Sequence, residues 1–289
     1  MKQKLLACAL SLGIIAMPYS SVFADSAPGD TIVTLGQNLS ESQKNMVLKE
    51  MNAPSDAQMV TVTNQEEHKY LDGTVPNSQI GTRSLSSAMV TIGEPNSGLV
   101  VQTKNITWVT EAMYTNALIT AGLKDANIYI TAPFPVSGTA ALTGIMKAYE
   151  ITSGKPISDA VKKVANEEMV QTAKLGDSVG NDKAVQLVAK IKEAVAKNPN
   201  MSDDDLRTLI KKLAKELGIT LTDAQLDSLV NLFDKMKNLN INWDQVGNQL
   251  TKAKNQISTF LHSDEGKSFI QKLKEFFSAL FNAILSIFN

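Results

Sequence analysis

Residues 127–150 read NIYITAPFPVSGTAALTGIMKAYE, and the two ends of this stretch follow different rules. Asn127 to Ala132 is rich in Ile, Tyr and Thr, which suit a pleated, half-buried surface. From Thr139 to Glu150 small and apolar residues recur at helical spacing. Between them Pro133 and Pro135 end the strand and shape a loop, and the helix starts at Ser137 or Thr139. A strand that feeds straight into a helix is the unit of a layered fold, so this stretch predicts helices packed on a sheet.

Upstream the same alternation continues. Thr31–Leu35, Gln58–Thr63, Leu85–Ile92 and Leu99–Lys104 are rich in Val, Ile and Thr and predict strands. Glu41–Met51 and Glu111–Ala121 carry helical patterns. Glu94-Pro-Asn-Ser-Gly98 joins two of the strands and has hairpin turn chemistry. Residues 25–151 are therefore expected to form an α/β or α+β domain with a mixed sheet.

Downstream the texture changes. In Thr152-Ser-Gly-Lys-Pro156 the glycine ends a helix and the proline forbids its continuation. Residues 157–262 then read as an all-helical region. Val161, Val164 and Ala165 begin one apolar stripe; Ala184, Leu187, Val188, Ile191 and Val195 make another. Leu206, Leu209, Ile210, Leu213 and Leu217 keep the 3.6 period, as do Leu226, Leu229, Val230, Phe233 and Met236. Asn242-Trp-Asp-Gln245 opens a further helix with a capping box.

Two short stretches look like copies: LGQNLSESQ at 35–43 and LGITLTDAQ at 217–225. Each shared position has a structural task. Ser40 and Thr222 cap a helix, Gln43 and Gln225 reach back to complete the box, and Leu39 and Leu221 sit where an apolar residue staples the turn. Glu41 and Asp223 favour the positive helix end. The likeness predicts two helix starts rather than a repeated binding device.

The chain begins with Lys2 and Lys4, an apolar run from Leu5 to Met17, and a break at Pro18–Ser21. Val22-Phe23-Ala24 then places small residues where a signal peptidase reads them. This pattern predicts a signal peptide, 1–24, cleaved after Ala24, in a chain that is secreted or held at the cell surface. The apolar run is too short for a spanning helix. Cys8 is the sole cysteine of the 289 residues and lies inside that leader. The chain after it has no cysteine, hence no disulfide and no thiolate chemistry. It retains 26 basic against 29 acidic residues, a net charge of −3, which gives no electrostatic ground for nucleic-acid binding.

Signals for catalysis are sparse. His68 and His262 are the two histidines, and neither sits in a metal-ligand spacing. Glu66-Glu67-His68 reads as a solvated helix face, and Asp203-Asp-Asp205 as the first turn of a helix capped by Ser202. No pattern implies a metal or a cofactor. The loop Ser137, Gly138 and Thr139 offers free amides at a helix start, beyond a strand end, where an anion or carboxylate could be held. It matches neither a phosphate loop nor a nucleophile elbow. Trp108 and Trp243 are too isolated for an aromatic binding row and are expected in the core.

From 263 to the end, Phe269, Leu273, Phe276, Phe277, Leu280, Phe281, Ile284 and Phe288 mark one face of a strongly amphipathic helix. Such a face needs the protein's own core, an envelope protein, a second copy or a membrane surface.

Three segments carry a resemblance: GDTIVTLGQNLSESQKNMVLKEMN, NALITAGLKDANIYITAPFPVSGTAALTGIMKAYE and the terminal HSDEGKSFIQKLKEFFSALFNAILSIFN. Through them the chain resembles the YpuA-like family of secreted Firmicutes proteins, classed as a domain of unknown function. The resemblance covers residues from about Gly29 onward and implies export from a Gram-positive cell. It brings no catalytic residues. The residues themselves favour a non-enzymatic binding protein of the extracellular space or envelope. The alternative is a hydrolase of wall polymer or peptide with an unrecognised carboxylate site. Carboxylates converging in a cleft would favour the hydrolase; a bland cleft would favour binding.

Overall fold

The computed structural model describes residues 27–74 and 80–262. The expected leader and the amphipathic segment from Ser263, with its face from Phe269 to Phe288, lie outside the described residues. No described helix is long and apolar enough to cross a membrane.

The strands are β1 (Thr31–Gly36), β2 (Gln58–Val62), β3 (Ser87–Ile92), β4 (Leu99–Ile106) and β5 (Ala126–Val136). They form one mixed sheet in the order β2-β1-β3-β5-β4. β1 and β2 are parallel, as are β4 and β5, and β3 runs antiparallel to both of its neighbours. Interleaved are α1 (Glu41–Glu50), α2 (Asn64–Leu71), α3 (Glu111–Thr120) and α4 (Thr139–Ser153). After them come α5 (Asp159–Val179), α6 (Asn181–Lys197), α7 (Asp203–Glu216), α8 (Asp223–Lys237) and α9 (Trp243–His262). The expected mixed sheet followed by helices is present.

Two expectations need correcting. Glu94–Gly98 does connect β3 to β4, but these strands do not pair, because β5 lies between them. The connection wraps the start of β5: Gly93 donates to the Asp125 carbonyl, and Gly98 donates to the Asp125 carboxylate at 2.8 Å. Nor does the last strand stop at Ala132. Its register jumps from Lys104↔Thr131 to Ile106↔Val136, so residues 132–135 bulge before pairing resumes. Both prolines sit in that bulge, where a missing N–H costs no ladder bond.

Alternation assigns the two faces of the sheet. Ile32, Val90, Ile128 and Ile130 face a core closed by α3, α4 and α5, while Val33 and Leu35 face a smaller one under α1. Gly144 brings α4 close to the sheet: an added Cβ would lie 2.8 Å from Thr34 Oγ1 and 2.9 Å from Val62 Cγ2.

A second core joins α6, α7 and α8 through Leu187, Ile191, Leu206, Ile210, Leu226 and Phe233. Helix α5 serves both cores, giving Met169 to the first and Leu175 to the second. The twin motifs are helix starts: Ser40 and Thr222 each complete a capping box with Gln43 and Gln225. Ser202 caps α7 by accepting from Asp205. Trp108 and Trp243 are partly buried, each packed against a core.

Candidate functional site

The directions of the strands decide where a site can form. β1, β2, β4 and β5 point the same way, so Gly36, Val62, Ile106 and Val136 end along one edge. Ligands in open α/β sheets gather outside this carboxyl edge, because the connections there leave a crevice.

The loop expected to hold an anion lies on that edge. Gly138 adopts φ 94° at the start of α4, a left-handed conformation that favours glycine. Its surroundings are tight as well: an added Cβ would be 2.4 Å from the Tyr114 hydroxyl and 2.5 Å from Ile106 Cγ2. The buried Tyr114 hydroxyl donates to the Gly138 carbonyl, and Val109 N–H donates to the Ser137 carbonyl at 3.2 Å. Ser137 Oγ and Thr139 Oγ1 are 3.5 Å apart. Ser137 is half-buried, whereas Gly138 and Thr139 are buried. The loop thus forms the wall behind Ile106 and Val109.

In front of that wall is a cleft of about 500 Å³ between the β4–α3 connection and the first turns of α6. Ile106 and Val109 supply its apolar part. Thr103, Thr107 and Thr110 add hydroxyls, and Gln186 of α6 adds an amide. Two carboxylates enter it, Glu111 at the start of α3 and Asp182 at the start of α6, and among the described residues no lysine or arginine lines it.

Several of these groups already have work. Glu111 accepts from the Thr103 N–H at 2.9 Å, capping an amide of the edge strand. Thr107 donates to the Val136 carbonyl at 3.0 Å, and Thr110 caps α3 by accepting from Met113. Asp182, by contrast, has no hydrogen-bond or ion-pair partner among the described residues. The cleft is therefore acidic and hydroxyl-rich, with an apolar floor. That mixture suits a neutral polyol or a cation better than an anion.

Elsewhere the Glu66-Glu67-His68 segment departs from its solvated reading. It lies on α2, capped by Thr63 and Glu66. Glu66 pairs with Lys147 at 2.6 Å. Glu67 is only 1% exposed, and burial pushes its carboxyl up to about 7, opposed by the nearby Ser84 hydroxyl and His68. His68 places Nδ1 3.1 Å from Asp72 and Nε2 3.2 Å from the Gly81 carbonyl. A carbonyl only accepts, so Nε2 carries a proton at that contact, and a ring protonated on both nitrogens donates to both partners. The hydrogen bond to Asp72 is the main cause that raises the His68 pKa. Both residues are engaged in packing α2 to its surroundings. Among the described residues no three His, Cys, Asp or Glu side chains are grouped to hold a metal.

Sequence reasoning did not single out the cleft. Its two walls are some seventy residues apart in the chain. Glu111 read there only as the start of a helical pattern. The one available signal was an acid at the start of each of two helices.

Comparison with known proteins agrees with the resemblance carried by the three segments. An uncharacterized protein, YpuA, from Bacillus subtilis (strain 168) is 56% identical over 268 residues, covering 92% of this chain and 92% of its own length. No solved structure matches the chain. The family model described as "Protein of unknown function (DUF1002)" matches residues 35–253, which takes in most of the sheet, the helical core and the cleft, and the chain belongs to that family.

Proposed function

We propose that the chain is an exported envelope or extracellular protein that binds a neutral or cationic polyhydroxylated ligand, such as a glycan segment, in the cleft at the carboxyl edge. The carrying observation is that cleft: Asp182, a carboxylate without a partner among the described residues, shares it with hydroxyls, an amide and an apolar floor. Sugars are recognised by such groups, because carboxylates and amides accept and donate to hydroxyl pairs while apolar atoms cover the ring. The start of the chain supports export, through Lys2, Lys4, the apolar run and Val22-Phe23-Ala24.

The segment from Ser263 to Asn289 completes the reading as the part that holds the protein at the envelope. The apolar spacing of its sequence calls for the protein's own core, a partner, a second copy or a lipid surface, and the reading takes one of the last three. Fractionation tests both ends. With the full chain and a chain ending at Ser263 expressed in a Gram-positive host, the mature N-terminus should be Asp25. The full chain alone should stay with wall or membrane. Retention of Met1, or identical fractionation of the two, would contradict the reading.

A hydrolase is the second reading, and one observation favours it: Glu111 and Asp182 share the cleft. Glycoside hydrolysis uses two such carboxyl groups, one protonated to serve as an acid. Incubating the protein with cell-wall polymer and examining the products by mass spectrometry separates the readings. Intact polymer supports binding; new ends that vanish in Asp182→Asn would establish the hydrolase.

A further inference from the structure

A second concavity lies on the other side of the molecule, where the sheet meets the helical half. It consists of two adjoining cavities of about 390 and 370 Å³, which share Lys124, Tyr149 and Lys155 as their common wall. Three separate parts of the chain bring these residues together. Lys124 comes from the turn between α3 and β5, Tyr149 from α4, and Lys155 from the connection between α4 and α5. The connection is fixed in place: Glu150 accepts from Ile157 N–H at 2.7 Å and pairs with Lys162 at 2.6 Å.

The charge of this groove is opposite to that of the first cleft. Lys124 and Lys155 are exposed, and neither has an ion-pair partner among the described residues. Among the described residues the acidic one in the lining is Asp125, which is 9% exposed and whose carboxylate already accepts from Gly98 N–H. The half-buried Tyr149 adds a phenol, whose O–H can serve as a further donor. Asn242 lies on the far wall; its carbonyl oxygen accepts from Gln245 N–H, which leaves its NH₂ group as a donor.

We propose that this junction groove is a binding site for a phosphate-bearing small molecule or polymer unit, held between the Lys124 and Lys155 ammonium groups with Tyr149 as a third donor. Lysine is a compact point charge that suits the spread charge of a phosphate. A phosphate, with more negative charge than a single carboxylate, gains more from two ammonium groups without ion-pair partners. Ile157, Pro156 and Ile241 supply apolar contact for the organic part of the ligand.

The test uses the full chain and sn-glycerol 3-phosphate, with calorimetric titration at low ionic strength so that the charges are not screened. Saturable binding is expected for the unaltered protein. The Lys124→Gln/Lys155→Gln variant should bind at least about tenfold more weakly, as loss of charge-assisted hydrogen bonds implies. Lys124→Arg/Lys155→Arg should retain binding within a few fold, because the charge is kept. Both pairs of substitutions are on exposed side chains, so their circular dichroism and melting should match the parent. Absence of binding by the unaltered protein, or equal binding by the glutamine variant, would overturn the site. An equal response to succinate would overturn the assignment to phosphate.

Discussion

The two larger cores are closed in different ways. In the helical core, α6, α7 and α8 meet through aliphatic side chains and Phe233. In the sheet-side core, polar groups cross the interior. Lys192 of α6 and Glu168 of α5 are both fully buried and paired, Thr120 of α3 donates to Glu168, and Lys192 also donates to the Asn116 carbonyl at 2.7 Å. Burial lowers the Lys192 pKa, opposed by Glu168. A purely apolar interface specifies only that surfaces stay together. A buried pair penalises other arrangements of the helices, since a misplaced partner leaves a bare charge in the interior. This pair ties α3, on the sheet, to α5 and α6, and α6 carries Asp182 into the cleft.

The contrast can be broken at several scales. The largest change is to cut the chain at Gly154. We propose that residues 157–262 keep helical structure alone, because α6, α7 and α8 close their own core. The sheet part is the weaker fragment, since it loses Ala165, Met169 and Ala173 from its core. Far-ultraviolet circular dichroism of the separate pieces checks this; a structureless 157–262 would contradict the division at 25–151 and 157–262.

Next are single residues. Lys192→Met leaves Glu168 buried without its cation and should cost about 3–5 kcal/mol in urea unfolding, whereas joining it to Glu168→Leu should recover most of the loss. Phe233→Ala tests the apolar core by a cavity alone, at about 3–5 kcal/mol, and no second substitution of a charge should rescue it.

A smaller effect depends on pH. The Glu67 carboxyl is held above its ordinary value, at about 7, so between the unfolded value and about 7 the folded state binds more protons than the unfolded one. Stability should therefore fall as pH rises through that window, by at most about 3 kcal/mol, and level off above it. The raised His68 pKa adds a weaker slope of the same sign. Glu67→Gln should flatten most of the dependence in thermal melts at pH 5 and 8; an unchanged slope would show that Glu67 is not its source.

The smallest change separates the twin motifs. Thr222→Ala and Ser40→Ala should each cost about 1 kcal/mol, as lost caps do. Neither should alter ligand binding.

The helical half was legible because its signals are local. The stripes at Leu206–Leu217 and Leu226–Met236 and the box at Thr222, like the one at Ser40 in the sheet half, depend on residues within a few positions of one another. What escaped is long-range. Turn residues at Glu94–Gly98 encode a reversal of direction but not which strand lies alongside, so the insertion of β5 was invisible. Glu67 reads as polar, and only packing of α2 hides it. Lys192 did leave a trace: it falls between Val188 and Val195 on the apolar side of α6, where a lysine needs a partner. The cleft left the least, because Thr103, Glu111 and Asp182 become neighbours only when α6 returns to the carboxyl edge.

The central claim is that this acidic cleft binds an uncharged or cationic polyol. Calorimetric titration of the full chain with a soluble wall-glycan fragment, alongside Asp182→Asn, tests it most directly. Saturable binding weakened about tenfold or more in the variant is the expected result, the loss of one hydrogen bond to a charged group. No heat of binding, or equal affinity in the two proteins, would contradict it.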